Sequence, residues 1–233
     1  MPFTIAGTLI CFYLYYYFAG SYLAKRLFKN SPSGKDQIRI FLFKKISGFF
    51  FMGVIPLIFY KFFISGTILS DFGLRFSDLW SNILKITGLS LLVVIFVFLV
   101  SKLSGPEEDK PQIHQKTWTK KLFLVNCLGW ILYLTGYEFL FRGVFLISCY
   151  NHFGFWVAIA INLSVYSAIH MVNGIREALG ALVFGLIVCI LTLRTGTILI
   201  SMVMHIVLAL STDYFAIRYR TDMQFVKNTH LNR

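Results

Sequence analysis

Long apolar runs alternate with short polar connections along the chain, and each run predicts a helix. Residues 5–24 are apolar and end at Lys25-Arg26. A second run, 46–64, contains Pro56, which removes an intrahelical hydrogen bond and predicts a kink. Residues 65–82 are mixed, and Asp71-Phe72-Gly73-Leu74-Arg75 reads as a turn at the membrane interface. The third run covers 83–101. Residues 102–118 are the most polar part, with Gly105-Pro106-Glu107-Glu108-Asp109-Lys110-Pro111 as a solvated loop. The next run, Lys121–Tyr150, exceeds the roughly 20 residues that cross a hydrocarbon core, so one long tilted helix and two helices broken near Gly136 both fit. Runs at 153–170, 177–193 and 197–217 complete the pattern. The prediction is an all-α polytopic integral membrane bundle of seven or eight transmembrane helices. Residues 1–104 form N-terminal membrane helices almost free of internal charge, 119–217 form a core holding the buried polar residues, and 218–233 form a basic tail.

Composition agrees with the pattern. Of 233 residues, 57% are hydrophobic and only 14% charged, against about 25% charged in a soluble domain. No polar block is long enough to make a separate soluble domain. The net charge of +12 is carried by the connections. Lys25, Arg26, Lys29, Lys35, Arg39, Lys44 and Lys45 surround the first one and mark it as cytoplasmic, in contact with membrane lipids. Placing the tail residues Arg218, Arg220, Lys227 and Arg233 on the same side requires an odd number of crossings or a re-entrant segment. Ser31-Pro32-Ser33-Gly34 is a turn signal within the first connection. No aromatic-basic module suits bases, so nucleic acid is not an expected partner. The cysteines Cys11, Cys127, Cys149 and Cys189 lie in apolar runs without C-x-x-C spacing and read as small hydrophobes. The first run lacks a small-residue cleavage site and reads as a retained span.

Against this background a few ionisable residues stand out, because charge in hydrocarbon is costly and marks a partner, a wet cavity or a chemical task. Glu138 and Arg142 are four apart and share a helix face. They are either an ion pair that locks packing or a carboxylate for water or metal, held in place by Arg142. His170 and His205 each sit in their own run; His114, His152 and His230 read as loop or end positions. Glu138, His170 and His205 would make a three-ligand catalytic zinc set with an open position for water. The same residues would also work without metal, with Glu138 activating water and a histidine orienting it or stabilising an oxyanion. No H-E-x-x-H run decides between these. Asn162, Ser164 and Ser167 are small enough to lie between helices, Gly143 allows a close helix contact, and Arg194-Thr195-Gly196-Thr197 reads as a turn into the last run. Glu177 reads as a residue that caps or orients a helix, and Asp213 as a distant support or the membrane exit.

The order of these motifs resembles the CAAX protease and bacteriocin-processing family (Abi, type II CAAX prenyl endopeptidase-like). The matching text is YEFLFRG at 137–143, YSAIH at 166–170 and GALVFGLIVCILTLRTGTILISMVMH at 180–205, within residues 119–215. The resemblance implies an intramembrane metalloprotease, with Glu138, His170 and His205 as catalytic residues supported by Arg142 and Tyr137. Its substrates would be membrane-associated or prenylated peptides and proteins. It also implies a link to bacteriocin immunity and, for bacterial members, the plasma membrane. Two positions depart from the family pattern. Tyr137 stands where a first glutamate precedes Glu138, and Ala209 stands where asparagine or aspartate follows the second histidine. Tyrosine is a poor general base and alanine donates no hydrogen bond. The alternatives are thus a divergent protease with one glutamate and a weakened relative kept for immunity or scaffolding. A transporter using the same ionisable groups is a third class.

Overall fold

The computed structural model describes residues 2–20, 34–63, 68–76, 78–106 and 109–226. Lys25, Arg26, Lys29, the turn at 31–33, Glu107, Glu108, Lys227, His230 and Arg233 lie outside the described residues. Seven long helices occur among those described: α1 (Pro2–Gly20), α2 (34–63), α3 (Asp78–Ser104), α4 (Lys120–Phe153), α5 (Phe155–His170), α6 (Ile175–Thr195) and α7 (Leu199–Tyr219). α2, α3, α4, α6 and α7 are long and apolar enough to cross a membrane, and α1 and α5 are apolar but shorter. The chain is an integral membrane helical bundle.

α4 is the central rod. In its most apolar stretch 67% of residues are buried, against 11% in α3, which lies at the rim against α7 with Leu84, Leu92 and Leu103 exposed. α4 runs unbroken through Gly136. That glycine serves a crossing with α2 rather than a break: a Cβ there would lie 2.9 Å from the Phe49 Cα and 3.2 Å from the Gly53 nitrogen. The irregularity comes just after it, as a π-helical run over Phe139–Leu146. α2 has its own π segment, Phe50–Val54, immediately before Pro56. A proline ring in regular helix crowds the carbonyl four residues back, and the wider turn relieves that clash.

The extent of the first connection is corrected. α2 begins at Gly34 rather than at 46, so Arg39, Lys44 and Lys45 belong to a helix and not to the first connection. Lys45 is buried because aromatic faces surround it. Its Nζ lies 2.9 Å from the Trp130 ring centre, 4.5 Å from Tyr133 and 5.1 Å from Phe41, and cation–π attraction offsets part of the lost hydration. Beyond the loop expected at 105–111, the polar stretch holds residues of the core. Ile113 and Trp118 are fully buried, and Thr117–Trp118 pairs in parallel with Gln224–Phe225 of the tail.

The turn expected near Asp71 is a 3₁₀ segment, Leu69–Phe72. The Asp71 carboxylate accepts from the Ile68 N–H (2.9 Å), and Gly73 closes the segment at φ 73°. Its Gly73 carbonyl accepts from the Ile198 N–H (2.9 Å) and the Thr197 hydroxyl (3.1 Å), which docks the turn on the α6–α7 connection. The Phe72 carbonyl sits where a Cβ on Gly143 would be, 2.9 Å away. Gly143 therefore admits this turn rather than a helix.

Candidate active site

Glu138 and Arg142 lie at the start of the π run of α4, both fully buried. The Arg142 Nε is 3.5 Å from Glu138 Oε2, so charge rather than a directed hydrogen bond links them. The Arg142 guanidinium lies over the Tyr166 ring of α5, 4.3 Å from its centre. The π run is braced by Asn162 of α5, whose side-chain amide donates to the Phe141 carbonyl (2.8 Å). The Asn162 carbonyl oxygen in turn accepts from the Cys189 thiol of α6 (3.2 Å). Asn162 was expected only as a small interhelical residue. Its hydrogen-bonding capacity is what the site uses.

His205 approaches from α7. Its Nδ1 is 2.6 Å from Glu138 Oε1, although the two residues are 67 apart in sequence. A carboxylate beside a guanidinium is an acceptor only, so Nδ1 carries the proton and Nε2 is left with the lone pair. Glu138 has no exposed surface, whereas His205 keeps 13% of its side chain exposed. The imidazole is therefore the more accessible of the two groups. The His205 ring is flanked by Phe184 of α6 at 5.2 Å and by Tyr137 at 5.7 Å.

Tyr137 is buried within an aromatic set of Tyr133, Phe141, Tyr166 and His205. Its hydroxyl has no hydrogen-bond partner among the described residues. So both residues of the Tyr137-Glu138 step border His205, one by packing and one by a hydrogen bond. Ala209, one turn beyond His205, packs against the apolar core.

His170 ends α5 and packs on Tyr166, ring centres 4.8 Å apart. Tyr166 also lies 6.5 Å from His205 and thus neighbours both imidazoles. His170 does not bond Glu138. Its Nδ1 is 2.9 Å from Glu177 Oε1 in the first turn of α6. Glu177 is therefore a direct partner of a candidate site residue, which a seven-residue spacing across a turn does not reveal. Asp213, two turns beyond His205, accepts from the Asn126 amide (2.8 Å) and the Trp130 indole (2.6 Å) of α4, and so supports α7 from a distance.

Zinc would need Glu138, His170 and His205 to converge with free donor atoms. Here Glu138 Oε1 and His205 Nδ1 engage each other, Glu138 Oε2 faces Arg142, and His170 Nδ1 faces Glu177. No three His, Cys, Asp or Glu side chains among the described residues form a metal-holding group. His170 Nε2 and Glu138 Oε2 have no hydrogen-bond partner among the described residues, so what a three-ligand metal lacks in this arrangement is convergence of the three side chains and not the supply of donor atoms.

A glutamate held against an arginine in α4, a histidine of α7 bonded to it and a second histidine at the end of α5 are grounds for comparison with known families. The model for the family described as Type II CAAX prenyl endopeptidase Rce1-like matches residues 119–211, from the N-cap of α4 into α7. No curated protein and no solved structure matches the chain. The matched region spans Glu138, Arg142, His170 and His205, and over residues 119–211 the chain is similar to the family described as Type II CAAX prenyl endopeptidase Rce1-like.

Proposed function

We propose that this protein is an intramembrane endopeptidase that hydrolyses membrane-associated or prenylated CAAX-type substrates, with Glu138 and His205 acting as a water-activating dyad. The single observation carrying this reading is the 2.6 Å contact between His205 Nδ1 and the fully buried Glu138. Glu138 accepts the Nδ1 proton and so presents the His205 Nε2 lone pair to water. As the water oxygen bonds to the scissile carbonyl carbon, Nε2 takes its proton. When the C–N bond breaks, the same proton passes to the leaving amine. Glu138 balances the transient imidazolium charge, and Arg142 keeps Glu138 ionised and in place. His170 Nε2 orients the water by accepting its second O–H. This assigns the general base to His205 rather than to Glu138, because Glu138 is fully buried and its Oε1 is already bonded to His205. An integral location in a bacterial plasma membrane fits this role.

The test is cleavage of a farnesylated C-terminal peptide by the purified protein in nanodiscs. Wild type cleaves, and folded Glu138→Gln and His205→Ala do not. Equal cleavage by wild type and Glu138→Gln refutes the assignment. A second reading, a non-hydrolytic relative serving bacteriocin immunity or scaffolding, is favoured by Tyr137 and Ala209. Absence of cleavage in every folded sample, with cellular function intact in Glu138→Gln, selects it.

A further inference from the structure

The polar connection between α3 and α4 has a side chain that reaches the site region. Lys110 Nζ lies 2.9 Å from Asp109 Oδ2 and 3.9 Å from Glu177 Oε2. Glu177 Oε1 in turn meets His170 Nδ1 at 2.9 Å. The result is a chain of charge from the connection, through the first turn of α6, to the last residue of α5. A helix N-terminus favours a carboxylate, and Glu177 lies in the first turn of α6.

We propose that Glu177 is the positioning residue of His170, and that Lys110 holds Glu177 in that role; this rests on the endopeptidase reading above. The Glu177 carboxylate accepts the Nδ1 proton, fixes the tautomer and seats the ring on Tyr166. The His170 Nε2, buried and without a hydrogen-bond partner among the described residues, is left as the atom that meets water. A plain clamp across the α5–α6 turn does not account for the arrangement. That turn is already closed by the Ser167 hydroxyl donating to the Ala178 carbonyl (3.1 Å). Further along, Gly185 packs so closely that an added Cβ would sit 2.9 Å from Leu163 and 3.0 Å from Tyr166. What Glu177 adds to those contacts is the orientation of one imidazole. His205 has the same arrangement, with Glu138 on Nδ1 and Nε2 left over. Two carboxylate-oriented imidazoles that both neighbour Tyr166 make a matched pair, one to take the proton and one to aim the water.

The experiment uses full-length protein in nanodiscs, with ¹⁵N-histidine spectra recorded where the rings are neutral and cleavage of the farnesylated peptide followed in parallel. In wild type His170 is the Nδ1–H tautomer. In Glu177→Leu it shifts toward Nε2–H while His205 keeps its tautomer. kcat falls about 10- to 100-fold with KM little changed, the range seen when the carboxylate behind a metal-bound imidazole is removed. Lys110→Met produces a smaller shift of the same sign. If Glu177→Leu does not stay folded, Glu177→Gln carries the test. Its neutral amide lowers kcat while KM holds, and an unchanged kcat overturns the proposal. An unchanged His170 tautomer in folded Glu177→Leu also overturns it. If no sample cleaves the peptide, the endopeptidase reading fails, and the tautomer shift still decides the role of Glu177 independently.

Discussion

Removing Asp213 should destabilise the bundle far more than removing an ordinary surface charge. Asp213 is fully buried on α7, and one of its oxygens accepts from both the Asn126 amide and the Trp130 indole. Lys45 lies on the other face of that indole, 2.9 Å from the ring centre, and feels the Asp213 charge. Asp213→Ala strands two buried donors, at about 1–3 kcal/mol each, and leaves a buried ammonium without its counter-charge. The two stranded donors alone set an expected loss of about 2–6 kcal/mol. Asp213→Asn keeps an acceptor for both donors and so isolates the charge. Its loss should be smaller, and in the Asp213→Asn/Lys45→Met double variant the loss should fall below the sum of the two singles by about 0.5–3 kcal/mol. The assay is equilibrium unfolding in mixed micelles with rising SDS fraction, followed by tryptophan fluorescence. Additivity within about 0.5 kcal/mol would show that Lys45 and Asp213 are independent. A loss below about 1 kcal/mol for Asp213→Ala would show that the carboxylate is not needed where it stands.

Other outcomes follow from the same geometry. Gly136→Ala places a methyl 2.9 Å from the Phe49 backbone, and since backbone cannot yield as a side chain does, it should cost about 1–3 kcal/mol by the same unfolding assay; a neutral result would mean that α2 and α4 are not in close contact. Tyr137→Phe removes a buried hydroxyl that has no hydrogen-bond partner among the described residues, so stability should hold or rise slightly and cleavage should persist; loss of cleavage with the fold intact would give the hydroxyl a chemical role. Extended treatment with a strong chelator should leave peptide cleavage unchanged, and activity that is lost and then restored by zinc would refute the metal-free dyad.

The features legible in the sequence are those that act locally or that membranes make rare. Helices announce themselves because hydrocarbon demands long apolar runs with backbone groups satisfied internally. Glu138 and Arg142 are legible as a pair because four residues separate them, and His170 and His205 because imidazoles are uncommon in spans. Their joining to Glu138 is not legible. Only packing of α7 on α4 decides that His205 bonds the carboxylate while His170 turns to Glu177. The start of α2 is missed because lysines read as a connection, and the aromatic faces that hold Lys45 come partly from α4. The pairing of Thr117–Trp118 with Gln224–Phe225 is non-local and two residues long, too short to show an alternation of its own.

The π run of α4 escapes the sequence for a different reason: it uses the same apolar residues as a regular helix, and only its hydrogen-bond spacing differs. It also bears on the missing glutamate at position 137. Adjacent helical residues point about 100° apart, so Tyr137 and Glu138 are not expected to serve one site equally. Yet Tyr137 packs its ring 5.7 Å from His205 while Glu138 bonds the same imidazole. A carboxylate at 137 would enter an aromatic wall made by Tyr133, Phe141 and Tyr166. Ionised, it would face the cost of burying charge against rings. Tyr137 is therefore consistent with its surroundings rather than a lone loss. The wall that suits it leaves a single carboxylate at the site, and that carboxylate is committed to His205. In the proposed dyad hydrolysis runs through an imidazole, which gives the His205→Ala variant the same standing as Glu138→Gln in deciding whether the chain is an enzyme.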